Sequence, residues 1–139
     1  MIKGFTCGTF DLLHAGHTTM LGDCKEKCDA LIVGLQVDPS VDRPEKSKPI
    51  QSVLERTIQL LDCRYVDQVM VYETEEDLKN LLGVLDVDIR FIGEDWDPRK
   101  ITGRKICDKR KIEICFTERN HNWSTTNLRE RIKNGNKKR

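Results

Sequence analysis

The chain has 139 residues, 24 of them Lys or Arg and 23 Asp or Glu, for a formal net charge of +1. That length suits one domain with its own core, and the near balance of charge argues against a generally basic nucleic-acid binder. With 34% charged residues, no apolar run near the ~18 residues of a membrane span, and no apolar leader after Met1-Ile2-Lys3-Gly4, the expectation is a cytoplasmic protein with no membrane partner.

Strand-like apolar runs alternate with amphipathic stretches, the pattern of an α/β protein with a parallel sheet. Ile2–Cys7 reads as the first strand, followed by a turn and a helix over His17–Cys28. Ala30–Val37 is apolar on both faces, as a central parallel strand should be. Asp38–Pro49 holds three prolines and reads as loop. Ser52–Asp62 reads as a helix with Val53, Ile58 and Leu61 turned inward, and Gln68–Tyr72 as the third strand. Thr74 caps a helix that reaches about Leu82, with Glu75, Glu76 and Asp77 in its first turn. Asp88–Ile92 and Lys111–Phe116 are the fourth and fifth strands, with a short helix over Gly103–Asp108 between them. Ser124 starts the last helix, which runs to Lys133; residues 134–139 form a polar, frayed tail. The expected architecture is therefore one domain over residues 1–133: a Rossmann-like, doubly wound sheet of five parallel strands with helices on both faces.

Six cysteines sit at positions 7, 24, 28, 63, 107 and 115. Cys24 and Cys28 share a helix face with Met20 and Leu21. They are either half of a metal site or small apolar thiols facing the sheet. No CxxC pair supplies the other half, so reduced core thiols are expected, and no protein metal motif.

The most informative stretch is Gly8-Thr9-Phe10-Asp11-Leu12-Leu13-His14-Ala15-Gly16-His17. It carries two imidazoles and two glycines from a strand exit to a helix start. The first amides of a helix lack partners and the macrodipole is positive there, so this position favours anions. Gly8 and Gly16 leave room for a phosphate near the backbone. His14 and His17, three apart, share a face if both lie in the first turn, and can grip a triphosphate from one side. In an open sheet of this kind ligands bind beyond the C-terminal strand ends, where the strand order reverses.

These ten residues resemble the G-T-F-D-x-x-H-x-G-H signature of the cytidylyltransferase-like nucleotidyltransferases, and within that group the chain is most similar to glycerol-3-phosphate cytidylyltransferases. Arg64-Tyr65-Val66-Asp67, Gly93-Glu94-Asp95-Trp96, and Arg119 followed by Ser124-Thr125-Thr126 resemble three further motifs of the family, in the same order.

The resemblance implies that CMP passes from CTP to a small phosphorylated alcohol, glycerol 3-phosphate first, with release of pyrophosphate. It implies that His14, His17 and Arg119 are catalytic, and that Gly8, Thr9, Phe10, Asp11 and Gly16 surround the nucleotide. Lys46 or Lys48 would hold phosphate from the Pro-rich loop; without the resemblance both are solvated surface charges. Asp95 and Trp96 would flank the base or ribose, unless Trp96 only anchors its loop. Ser124, Thr125 and Thr126 would form a second phosphate cradle, Ser124 also serving as a cap. Arg56, Arg64 and Asp67 would be substrate-binding or dimer-linked, Arg56 closing the loop region and Arg64-Tyr65-Val66-Asp67 lying near both the site and a dimer contact; the plain alternative is an Arg64–Asp67 surface pair. Mg²⁺ is expected with CTP because of the reaction type, with Asp11 as a candidate ligand. A homodimer is expected by resemblance alone.

The chain departs from its relatives where they read Arg-Thr-x-Gly-Ile-Ser-Thr: here Asn120, Asn122 and Trp123 replace Thr, Gly and Ile. Asn122 can take a positive φ, whereas Trp123 is much larger than Ile. His121 reads as an exposed loop residue. Two other functions stay open: adenylyl transfer, and a nucleotide-binding module without turnover.

Overall fold

The computed structural model describes residues 1–94 and 97–135. Its elements in chain order are β1 (Lys3–Gly8), α1 (Ala15–Glu26), β2 (Ala30–Gln36), α2 (Val53–Leu61), β3 (Gln68–Tyr72), α3 (Glu75–Val84), β4 (Ile89–Gly93), a one-turn 3-10 helix (Pro98–Lys100), α4 (Arg104–Arg110), β5 (Glu113–Thr117) and α5 (Thr125–Lys133). The strands pair in parallel in the order β3-β2-β1-β4-β5. This is the expected doubly wound α/β sheet. The short 3-10 turn is the one element the sequence did not suggest; Asp97 caps it through the Arg99 amide, 2.9 Å away.

Alternation along the strands builds two cores. Leu31, Val33 and Leu35 of β2 meet Leu21 and Cys24 of α1 and Leu60 of α2 on one face. Phe5 and Ile32 meet Leu78 and Leu82 of α3 and Cys107 of α4 on the other. β2 is buried along most of its length, which explains its unbroken apolar run. At Gly34 a Cβ would come within 2.9 Å of the Phe5 ring, so the strand needs glycine to let that ring cross. All six cysteines are free, and Cys24 is fully buried, its thiol pushed up to about 12 by that burial. Among the described residues no helix is long and apolar enough to cross a membrane, and no cluster of three metal-ligating side chains occurs.

The inward face of α2 differs from expectation. Val53 packs against the core as expected, but Ile58 and Leu61 are 51% and 54% exposed, and the buried residues are Arg56 and Leu60. Arg56 decides the rotation of this helix. Its guanidinium donates to the carbonyls of Gln51 (3.1 Å), Ser52 (3.3 Å), Thr9 (3.0 Å), Gln36 (2.7 Å) and Val37 (2.7 Å). It thus stitches the ends of β1 and β2 to the start of α2. The Ser52 carbonyl also takes the Arg56 amide of α2, 3.1 Å away; the others lie at strand ends and in turns, where buried carbonyls need a donor from elsewhere. The role given to Arg56 near substrate or a dimer contact is therefore corrected: all its donors face the backbone.

Arg56→Met should destabilise the fold by about 3–5 kcal/mol, because it strips several buried carbonyls of their donor. Urea denaturation of the two proteins checks this; a loss below about 1 kcal/mol would contradict the stitching role.

Candidate active site

The helices that follow β1 and β4 cover opposite faces of the sheet. The chain therefore parts between the C-terminal ends of these two strands, and a cavity of about 410 Å³ opens there. Gly8, Thr9, His14, Gly16 and His17 form one rim, and Arg119, His121, Trp123, Ser124 and Thr125 form another. Lys46 reaches it from the loop after β2.

α1 begins at Ala15, two residues before the expected start, and its N-cap is His14. Nδ1 of His14 accepts the Gly16 amide (3.0 Å), and Nδ1 of His17 accepts the His14 amide (3.3 Å). This is a capping box built from imidazoles in place of the usual hydroxyl and carboxylate. The two rings stack, with centroids 3.8 Å apart and planes at 23°. Because both Nδ1 atoms are acceptors, each neutral ring carries its proton on Nε2. Burial, then the positive fields of His121 and Arg119, lower the pKa of His14. Burial, then His14, bring His17 down to about 3, against a weaker opposing pull from Asp11. The rings are thus neutral donors at neutral pH. Nε2 of His14 lies 3.3 Å from Oγ1 of Thr125, whose hydroxyl donates to the Asp11 carbonyl at 3.0 Å.

The loop that delivers the rings contains two left-handed residues, Phe10 (φ 50) and Leu12 (φ 53), a conformation that costs side chains energy. Three contacts hold it. Phe10 is buried and its ring leans on His17, centroids 5.2 Å apart. The Leu12 amide donates to Gln51 (2.8 Å). The Asp11 carboxylate, 4% exposed, accepts the amides of Ile50 (2.8 Å) and Gln51 (2.9 Å) and the guanidinium of Arg129 (2.7 Å). Burial works to raise the pKa of Asp11, and these three donors outweigh it and hold the carboxyl below its ordinary value.

This corrects the reading of Asp11 as a nucleotide contact or metal ligand: its oxygens are taken, and it does not line the cavity. Phe10 likewise supports the site from below. The glycines gain a second reason. A Cβ on Gly16 would come within 3.0 Å of both the His14 and His121 rings, and one on Gly8 within 3.3 Å of Phe10. The cavity takes Lys46 and not Lys48, whose carbonyl accepts from Arg129 (3.2 Å). Arg119 donates through its guanidinium to the Trp123 carbonyl (2.9 Å) and through its amide to Glu94 (2.9 Å). Ser124 caps α5, accepting the Asn127 amide at 3.0 Å. Thr125 faces inward, and Thr126 is exposed and off the cavity.

Arg64 and Asp67 precede β3 and so lie at the opposite, N-terminal edge of the sheet. Arg64 packs over the Tyr65 ring and donates to its hydroxyl (2.6 Å). Asp67 pairs with Lys25 rather than with Arg64, and accepts the Leu31 amide (2.7 Å). Neither lines the cavity. Asp95 and Trp96 lie outside the described residues, as do residues 136–139 of the tail.

Where the sequence departs from its relatives, the structure builds something. The rings of His121 and Trp123 stack with centroids 4.7 Å apart, and Nδ1 of His121 accepts the Trp123 amide (3.1 Å). His121 is a cavity residue and not a free loop side chain. Asn122 does not take a positive φ. Sequence reasoning also missed the wall on the α3 face: Gln36, Arg43, Tyr72, Glu75, Arg90 and Thr102. Arg43 joins Gln36 (3.0 Å) to Glu75 (3.2 Å) across it. The available signal was a Gln and an Arg inside otherwise apolar strands.

A family model described as cytidylyltransferase-like matches residues 5–131. The bifunctional protein HldE of Paramagnetospirillum magneticum is 35% identical over 134 residues, 96% of this chain and 27% of that protein. HldE of Helicobacter pylori is 38% identical over 130 residues, 93% of this chain and 27% of that protein. The chain thus spans about a quarter of the length of these relatives. Among solved structures, the lipopolysaccharide core biosynthesis protein of Thermoplasma volcanium superposes with a TM-score of 0.69 at 24% identity, covering 88% of this chain and 99% of that one. Pantothenate synthetase of Thermus thermophilus superposes with a TM-score of 0.62 at 15% identity, covering 92% and 61%; these two likenesses speak to the fold. A signature strand exit, a doubly wound sheet that opens a cavity beside it, and a match over nearly the whole length together make this chain a member of the cytidylyltransferase-like family of nucleotidyltransferases.

Proposed function

We propose that this cavity moves a nucleotidyl group from a nucleoside triphosphate to the phosphate of a small phosphorylated acceptor. A phosphate oxygen of the acceptor forms a bond to the α-phosphorus of the donor. The bond from that phosphorus to the bridging oxygen breaks, and pyrophosphate leaves with the electron pair. An ionised phosphate is already a nucleophile, so no general base is needed, and the protein's part is position and charge stabilisation. The observation that carries this reading is the stacked pair of neutral imidazoles, each with a proton on Nε2, facing Arg119 and Thr125 across one opening. Thr125 holds the His14 donor in place until a phosphate oxygen takes it. Lys46, which lines the same cavity, adds a positive charge. With Asp11 fully engaged, Mg²⁺ belongs to the substrate here: it would arrive on the triphosphate, liganded by phosphate and water.

For the donor, adenylyl transfer fits the HldE relatives better than the CTP and glycerol 3-phosphate reading. The stacked His121–Trp123 pair agrees, since its broad face suits a bicyclic purine. The motif resemblance is what favours CTP. A homodimer belongs to the same proposal: Leu54, Ile58 and Leu61, each more than half exposed along one stripe of α2, are the apolar surface a second copy would cover. Sedimentation equilibrium should then show twice the chain mass, and a monomer at high micromolar concentration would end that part.

A pyrophosphate-release screen of four nucleotides against phosphorylated alcohols and sugars should show turnover with ATP above CTP. His14→Asn and His17→Asn each keep a side-chain oxygen for the capping box yet lose the Nε2 donor. Each should lower kcat by about 10²–10³ with the fold intact by circular dichroism. Full activity in both variants would remove the proposed chemistry, and tight nucleotide binding with no pyrophosphate would leave a binding module.

The depressed pKa of His17 also sets a stability slope. Unfolded, the ring takes a proton near 6.5; folded, only near 3. Between those values the unfolded state binds more protons, so His17 makes stability fall as pH falls, by at most about 1.4 kcal/mol per pH unit. Urea titrations from pH 7 to pH 4 should show a shallower decline in His17→Asn than in the parent; parallel curves would contradict the buried neutral ring.

A further inference from the structure

The floor of the cavity holds a charge that nucleotidyl transfer does not use. Arg90 stands in β4, paired in register with Phe5 of β1, and is 4% exposed. Its Nη1 donates to the Thr102 carbonyl and lies 4.0 Å from Sγ of Cys107, while its Nε has no hydrogen-bond partner. Among the described residues no carboxylate pairs with it. The nearby groups cannot neutralise it. Burial keeps the Cys7 thiol and the Tyr72 phenol protonated, and Glu75 is committed to Arg43. A guanidinium does not lose its proton, and burying one without a counter-ion is strongly unfavourable. The side chain nevertheless lines the cavity.

Its depth fixes what it can meet. Gly8, on the histidine rim, is three residues beyond Phe5 along β1, about 10 Å by the rise of a strand. The reacting phosphate belongs at that rim, beside His14 and Lys46. Arg90 lies below it, on the side of the sheet that α3 covers, where an acceptor extending away from the reacting phosphate would end.

Resting on the transferase reading, we infer that the acceptor carries a second anionic oxygen group, a carboxylate or a further phosphate, at the end remote from its reacting phosphate, and that Arg90 receives it. Arg90 is then a specificity-determining residue, reading the far end of the acceptor while the histidine rim handles the phosphate common to all candidates. The fork of a guanidinium matches either group.

Isothermal titration of the whole protein tests this with matched probes. 6-Phosphogluconate and sorbitol 6-phosphate differ only in a terminal carboxylate against an alcohol, as do 3-phosphoglycerate and glycerol 3-phosphate on a shorter chain. Mannitol 1,6-bisphosphate and mannitol 1-phosphate differ in the second phosphate. The doubly anionic member of at least one pair should bind about tenfold tighter or more, and the pair that responds tells carboxylate from phosphate and sets the chain length. Arg90→Met should abolish that preference while the singly anionic member binds within about twofold of the parent. Equal affinities within all three pairs, or a preference that survives Arg90→Met, would overturn the inference. Should Arg90→Met fail to fold, the comparison on the unaltered protein decides alone, with Arg90→Lys expected to keep part of the preference. Pyrophosphate release at full rate with singly anionic acceptors removes the role of Arg90 and leaves the transferase reading standing. Lack of release with every nucleotide removes that reading instead, while a titrated preference lost in Arg90→Met still assigns the anion site.

Discussion

One buried carboxylate assembles the rim of this site. Asp11 takes two amides from the turn just ahead of α2 and a guanidinium from α5, and its carbonyl takes the hydroxyl of Thr125. Residues 11, 50, 51, 125 and 129 are far apart in the chain, so each hydrogen bond closes a long loop against chain entropy. Few surface ion pairs repay that. Asp11 does because it is almost fully enclosed and its donors are fixed by backbone or by a bidentate-capable side chain. The consequence reaches His14: with Thr125 held against the Asp11 carbonyl, the hydroxyl has its lone pairs turned to Nε2 of the ring.

The histidine pair shows how local structure sets chemistry here. A helix start must satisfy its first amides, and Ser, Thr or Asp would do so at lower energy. With imidazoles in those places the amides become proton-position switches: each amide occupies Nδ1 and forces the hydrogen of the neutral ring to Nε2, outward. Stacking and burial then keep the rings neutral. A protonated pair at 3.8 Å would repel itself and lose the capping acceptors. The cap and the donor function are one arrangement, which is why Gly16 has no room for a side chain between the rings of His14 and His121.

Most of the sheet was legible because alternation and unbroken apolar runs have only one sensible reading in β1, β2 and β4. The rim was legible because its residues sit at strand exits. What the sequence hid are cases where one residue's partner lies elsewhere in the chain. The periodicity of α2 allowed either face to turn inward, and the choice belonged to Arg56, whose acceptors come from three separate turns. Asp11 and Thr9 lie in the same signature as His14, yet nothing in the local pattern says which of them faces the ligand. His121 and Trp123 stood out only as departures from a motif, and their meaning depends on a stack that spacing alone does not reveal.

The cavity joins two faces of the sheet that answer to different constraints. On the α1 side, Asp11, Arg56 and the capping box bind one another so closely that a change in one disturbs the others. The α3 side is built from single residues on strands, each placed by alternation: Tyr72 packs with Leu78 of α3, Arg90 reaches Cys107 of α4, and Gln36 meets Arg43. A substitution at Gln36 or Arg90 alters the floor without moving the rim, because β2 and β4 are held by a ladder on both sides, while Tyr72 sits on the edge strand β3. Transfer chemistry and acceptor choice can therefore vary separately in this fold. That is why a motif read from the rim carries the reaction class, and why a charge in the middle of β4, silent in any motif, carries the information about the acceptor.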